Sequence, residues 1–193
     1  TTASENALRR LPKQHILYTF ALMVRGFIHQ RSYEFEEARA IYAQIVEAGQ
    51  QSGNIYMSIR ALVSTAETYL VAGRLQEAEA SYKYCLQMAN EASTDDVEGI
   101  GNAYAGLSIV QLEQNRLSEA ADSAARCIDQ LRVEYIIPYY VLAAYCVMAQ
   151  TAFLSGNSSL YQKGGQGIRT VLEMHPFIPV RLYFLYITHV WTI

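Results

Sequence analysis

The chain is poor in helix breakers: eleven glycines and four prolines in 193 residues, about 8% where ~12% is usual. Its three cysteines, Cys85, Cys127 and Cys146, form no C-x-x-C and have no histidine nearby. That excludes a disulfide framework and a zinc finger or ribbon, and lone thiols of this kind act as small hydrophobes in a reducing cytoplasm, the expected location. Charge is also scarce, at 17% of residues with a net of −3, so no broad basic field exists to hold nucleic acid. Residues 1–15 carry Glu5, Arg9, Arg10 and Lys13 and no apolar stretch, so they do not read as a signal peptide. The opening Thr-Thr-Ala reads as a piece cut from a longer chain. One uncharged run, residues 135–162, is long enough to suggest a membrane span. Its spanning part, residues 135–154, holds Pro138, Gln150, Thr151 and four tyrosines and lacks a flanking basic cluster, which points instead to a helix buried among helices. Apolar residues (51%) and tyrosine (15 residues) are plentiful, which predicts one globular, helical domain with no membrane association.

An internal repeat carries the strongest signal. Four segments end on a small residue, Ala21–Gly26, Ala61–Ala66, Ala103–Ser108 and Ala144–Ala149, and these ends lie 40, 42 and 41 residues apart. Twelve residues after each stand Ala38, Ala78, Ala120 and, breaking the pattern, Tyr161; four further on are Tyr42, Tyr82 and Ala124. Between lies a turn position holding Tyr33, Gly73, Asn115 and Gly156. A small residue that lets helix A approach, a turn, then a small residue where helix B crosses: this is the grammar of the tetratricopeptide repeat. It predicts an all-α, right-handed α-solenoid of helix pairs with a 40–42-residue period. The repeats are read near 14–50, 55–92, 97–133 and 137–174, with a partial fifth at 178–193. Helices A are read near 14–31, 55–72, 97–114 and 137–155, and helices B near 35–50, 75–92, 117–133 and 158–174. Residues 3–11 read as the tail of an earlier helix B. Gly164, Gly165 and Gly167 inside the last helix B predict a distorted or broken helix.

Particular phrases resemble one family of such repeats. Gly53-Asn54, Ala72-Gly73-Arg74-Leu75-x-Glu77-Ala78 and Gly106-Leu107-Ser108-x-Val110-x-Leu112-Glu113-x-Asn115 are similar to the C-terminal repeat region of large ATP-dependent LuxR-family regulators of the MalT type. Leu8-Arg-Arg-Leu-Pro12 looks like the link that opens that region. The resemblance covers roughly residues 8–190. It implies a sensor and interaction region that receives a small-molecule inducer or a partner protein, within a regulator that also carries a nucleotide-binding switch and a helix-turn-helix.

No residue pattern supports catalysis. Lys163-Gly-Gly-Gln-Gly167 lacks the Gly-Lys-Ser/Thr ending of a phosphate loop and follows no strand pattern. His15, His29, His175 and His189 form no metal-ligand spacing, and G-x-S-x-G is absent. Glu34, Glu36 and Glu37 suit a helix start. No enzyme activity, cofactor or metal is expected. Tyr42, Tyr69 and Tyr82 read as core. Tyr135, Tyr139, Tyr140 and Tyr145 are denser than a scaffold needs and fit either core or a contact surface.

In this repeat class the concave face comes from helix A, at offsets −6, −3, +1, +4 and +5 from the small residue. The candidate ligand- or partner-binding residues are therefore Phe20, Phe27, Gln30, Arg60, Glu67, Asn102, Gln150 and Phe153. Sparse polar groups on an apolar floor suit a small polar ligand or an amphipathic helix; a general protein scaffold is the alternative. Phe184, Leu185 and Trp191 lie on a helix with no partner in the sequence, which predicts self-association through the terminal repeats.

Overall fold

A computed structural model describes residues 16–92, 98–130 and 138–175. These form four helical hairpins, with no strand among the described residues: α1 (Ile16–Arg31) with α2 (Phe35–Ser52), α3 (Ile55–Val71) with α4 (Leu75–Glu91), α5 (Glu98–Glu113) with α6 (Leu117–Asp129), and α7 (Pro138–Leu154) with α8 (Ser158–Met174). The predicted tail of an earlier helix at 3–11 and the partial fifth repeat at 178–193 lie outside the described residues. The third helix B stops at Asp129 rather than near 133.

The turn position read from the repeat governs where each hairpin folds back. Tyr33, Gly73, Asn115 and Gly156 all have φ between 58° and 72°, the left-handed conformation that ends helices. At each, the next residue's N–H reaches back five residues: Glu34 to the His29 carbonyl, Arg74 to Tyr69, Arg116 to Gln111 and Asn157 to Ala152, at 2.8–3.0 Å. Those bonds satisfy carbonyls that a helix end leaves open. The helices then restart on local signals. Asn54 and Asn157 cap with side chains that accept the N–H of Met57 and Leu160, while Arg74–Glu77 and Arg116–Glu119 pair across the first turn of α4 and α6.

The chain divides into two compact units, Thr1–Ile100 and Gly101–Ile193. In the first, α1 packs on α2, α2 on α3 and α3 on α4, around Leu22, Met23, Ala38, Ile41, Tyr42, Ile45, Met57 and Ala61. In the second, Ala105, Ala120, Ala124, Cys127, Ala144 and Val147 share one core, and Val141, Leu142, Cys146 and Val171 another. The long uncharged stretch becomes α7, buried on most of its circumference from Val141 to Ala149. No helix among the described residues is long and apolar enough to cross a membrane.

The expected break at Gly164–Gly167 is not there. α8 runs unbroken from Ser158 to Met174, because the glycines act as contact points. A Cβ on Gly164 would come within 2.9 Å of the Ala149 nitrogen, and one on Gly167 within 2.2 Å of the Tyr145 ring. The buried residues of α8 are Gly164, Gly167 and Val171, and Gly164 takes the place of the buried Ile41 of α2. Tyr161, where α2 has the buried Ala38, is too large for the crossing point and lies at the surface, its ring 6.1 Å from that of Phe153.

Candidate binding surface

In the first unit three of the candidate residues meet on one buried tyrosine. Tyr42 on α2 is fully enclosed, and an enclosed hydroxyl needs a partner. It donates to the Gln30 Oε1 of α1 at 2.6 Å, and Gln30 Nε2 donates in turn to Glu67 Oε2 of α3 at 3.3 Å. The Phe27 ring stands edge-on to Tyr42 at 6.3 Å. Burial, then the nearby Glu67 carboxylate, push the Tyr42 hydroxyl above its ordinary range, with a hydrogen bond to Ser64 opposing them. The phenol therefore stays neutral and stays a donor. The chain of bonds runs from an apolar core to a half-buried carboxylate on α3, and the Phe27 ring that meets Tyr42 is exposed.

The remaining candidates do not join this cluster. Phe20 is exposed one helical stretch away on α1. Arg60 folds back along α3, donating to the Tyr56 hydroxyl at 2.9 Å with its guanidinium over that ring. In the second unit Asn102 is buried, with 7% of its surface exposed, and Phe153 is exposed, while Gln150 is half-buried.

Sequence reasoning missed two elements. It placed Tyr42 in the core on its ring and overlooked that its hydroxyl orders Gln30; the twelve-residue separation across one hairpin was the available signal. It also missed two cation–π contacts on α3, where the guanidinium groups of Arg39 and Arg74 lie over the Tyr69 ring at 4.5 and 4.8 Å from its centroid. Arg39 also donates to Thr68 at 3.2 Å and pairs with Glu36, so it straps α2 to α3. Glu77, bonded to Arg74, has its carboxyl lowered by that bond.

Nothing in these contacts resembles a catalytic or metal centre. The three thiols are free and buried, and burial pushes each up to about 12, so they are poor nucleophiles at neutral pH. Among the described residues no group of three metal-ligating side chains occurs. His29 pairs with Glu34 at 2.5 Å, and His175 is exposed at the end of α8. Tyr139 and Tyr140 are half-buried, their rings edge-to-face at 5.1 Å, and Tyr135 lies outside the described residues.

Tandem hairpins with small residues at each crossing define a helical-repeat protein of the tetratricopeptide class. Solved structures agree on the fold. BtubC (BKLC) from P. vanneervenii superposes with a TM-score of 0.71 at 12% identity, covering 91% of this chain and 73% of that one. The nearly identical TPR-like repeats of a protein assigned as a kinesin light chain of Podosopora anserina give 0.59 at 14% identity, covering 92% and 85%. A comparison with curated protein sequences returns no match. The family described as the MalT-like TPR region matches residues 1–160, and the chain belongs to it. The match ends in the first turn of α8.

Proposed function

We propose that this chain is the receiving part of a signal-responsive transcription regulator of the MalT type, binding an inducer or a partner protein and performing no chemistry itself. The observation that carries this reading is the family match over residues 1–160. The Phe27–Tyr42–Gln30–Glu67 arrangement supports it: an exposed ring set against Tyr42, and a carboxylate tied to the same tyrosine by part-buried hydrogen bonds through Gln30, form a preorganised recognition element. A ligand or helix bound there would seat apolar surface on Phe27 and a donor group on Glu67.

A second reading, a protein-interaction scaffold with no link to transcription, is favoured by the likeness to the repeats assigned to a kinesin light chain. The test uses the full-length protein in a reporter strain. Glu67→Gln is expected to abolish the response to inducer or partner while the circular-dichroism melt is retained, and Gln30→Ala to abolish it with a lowered melt, since it strands the Tyr42 hydroxyl at a cost of about 1–3 kcal/mol. An unchanged response removes this surface as the recognition site. A reading frame with neither a nucleotide-binding domain nor a helix-turn-helix removes the regulator in favour of the scaffold.

A further inference from the structure

The hydrogen-bond chain in the first unit has a direction, and each link fixes the next. An ionised carboxylate only accepts, so Glu67 faces the amide nitrogen of Gln30, which donates to it at 3.3 Å. That turns the Gln30 Oε1 toward Tyr42, whose hydroxyl donates to it at 2.6 Å. With its proton committed to Gln30, the phenol oxygen accepts from its other partner, Ser64 of α3. Ser64 is 5% exposed and Tyr42 is fully enclosed, so bulk water does not compete at either group. The order Ser64, Tyr42, Gln30, Glu67 begins and ends on α3 and passes through α2 and α1.

That direction decides what Gln30 shows to a ligand. Were the amide reversed, its oxygen would meet the Glu67 carboxylate, two acceptors with no proton between them. As held, the half-buried amide keeps a second N–H that neither bond uses. A carboxylate has about four acceptor sites, so Glu67 can take a further donor beside the contacts it already makes. The edge therefore sets one N–H donor next to one carboxylate acceptor. An anion would meet the charge of Glu67, and a cation would bring nothing to accept the Gln30 N–H. A planar carboxamide answers both at once, with its carbonyl oxygen toward Gln30 and its N–H toward Glu67. A hydroxyl would have to answer both through a single oxygen. Phe27, three residues before Gln30 on the same face of α1 and 38% exposed, offers a ring for the apolar body of such a ligand.

We propose that the Gln30–Glu67 edge recognises a neutral primary carboxamide on an apolar body, and that the enclosed Tyr42 and Ser64 are the positioning residues that set this specificity by holding Gln30 one way round. This rests on the reading of the same edge as the recognition surface, and it names the ligand chemistry that the edge takes.

Four probes with one ring and different heads test it: benzamide, benzoate, benzamidinium and benzyl alcohol. Each is titrated at millimolar concentration into the isotope-labelled full chain, and the side-chain amide resonances of Gln30 are followed by NMR. Benzamide is expected to move those resonances and to bind at least about tenfold tighter than benzoate or benzamidinium, the usual consequence of one hydrogen bond left unmade. Benzyl alcohol should also bind more weakly than benzamide. Gln30→Glu, which still accepts from Tyr42, should invert the order in favour of benzamidinium. Tyr42→Phe keeps the ring but releases the amide, and should erase the preference for benzamide. A retained circular-dichroism spectrum shows the fold intact in both variants. The proposal is overturned by benzamide binding no tighter than the other probes, by binding that leaves the Gln30 amide unmoved, by binding of none of the four, or by an unchanged order in Gln30→Glu. A reporter response lost in Glu67→Gln, with no preference for benzamide, removes the carboxamide and keeps the recognition surface. Benzamide binding as expected, with an unchanged response in Glu67→Gln, keeps the carboxamide site and removes it as the input of the regulator.

Discussion

In the first hairpin the glycine lies on the leading helix and the ring on the returning one. A Cβ on Gly26 would sit 2.4 Å from the Tyr42 ring. In the fourth the parts are exchanged, with Tyr145 on the leading helix against Gly167 on the returning one, 2.2 Å from a Cβ placed there. Two helices crossing at close range need one hollow and one ring to fill it, and either helix can supply either. The consequences differ because the two rings are held differently. Tyr42 is enclosed and tied through its hydroxyl to Gln30, whereas Tyr145 is only half-buried.

The largest expected effect separates the two rings themselves. Tyr42→Ala should cost about 3–5 kcal/mol of unfolding free energy, the range for emptying a buried aromatic site. Tyr145→Ala should cost roughly half of that, since a half-exposed ring gives up less buried surface. Urea titration of both variants checks this, and equal losses would break the contrast.

Filling the hollows comes next. Gly26→Ala should destabilise by about 1–3 kcal/mol, as overpacking does, because the Tyr42 ring cannot swing away without breaking its bond to Gln30. Gly167→Ala should cost less, since Tyr145 has room to move. Gly164→Ala should resemble Gly26→Ala, because the obstacle there includes the backbone of Ala149. Double-mutant cycles sharpen the point: trimming Tyr145 to leucine should relieve Gly167→Ala and leave Gly164→Ala unrelieved.

Alkali distinguishes the hairpins again. Tyr42 and the Cys146 thiol are both neutral acids whose folded values lie above their unfolded ones, Cys146 at about 12. Each therefore contributes stability that is complete below the unfolded pKa and is lost as pH climbs toward the folded one. The unfolded thiol titrates near 8.5 and the unfolded phenol near 10, and each group costs up to about 1.4 kcal/mol per pH unit beyond that point. Melts at successive pH values should show Cys146→Ala removing about a third of the loss that begins around pH 8.5, the rest belonging to Cys85 and Cys127, and Tyr42→Phe removing loss that begins around pH 10. A wild-type stability that stays flat from pH 8 to 11 would contradict both assignments.

The smallest effect concerns a turn. Tyr33 adopts φ 63°, a conformation that costs a side chain roughly 1–2 kcal/mol and glycine almost nothing. Part of the gain on Tyr33→Gly is returned to the looser unfolded chain and to the lost ring contact with Phe35 at 5.8 Å. A net stabilisation of under about 1 kcal/mol is expected by thermal melt; a destabilised variant would mean that the ring contact outweighs the backbone.

Much of the fold was legible in the sequence, because turn geometry and crossing points depend on local residue size. All four turn positions read from the repeat are left-handed, and the helix starts at Phe35, Ile55, Leu75, Leu117 and Ser158 fall where they were read. The last helix was misread for the same reason: Gly164–Gly167 was judged by helix propensity, an intrinsic cost that tertiary contact overrides. The candidate surface was harder to read. The offset rule assumes every helix A is equally open, but Asn102 on α5 is buried where Phe20 on α1 is exposed. The Tyr42–Gln30–Glu67 chain could be read only as three separate positions, since hydrogen bonding across three helices depends on rotamers.

The recurring left-handed turns also set how the chain would yield under load. Each hairpin closes on bonds that span five residues, so its contacts are lost together and locally, whereas contacts between hairpins join only neighbours. Pulled from its ends, such a chain should give way one hairpin at a time. Each event should release a 40–42-residue length worth roughly 130–150 Å of extended polypeptide, a graded series of steps in place of a single rupture.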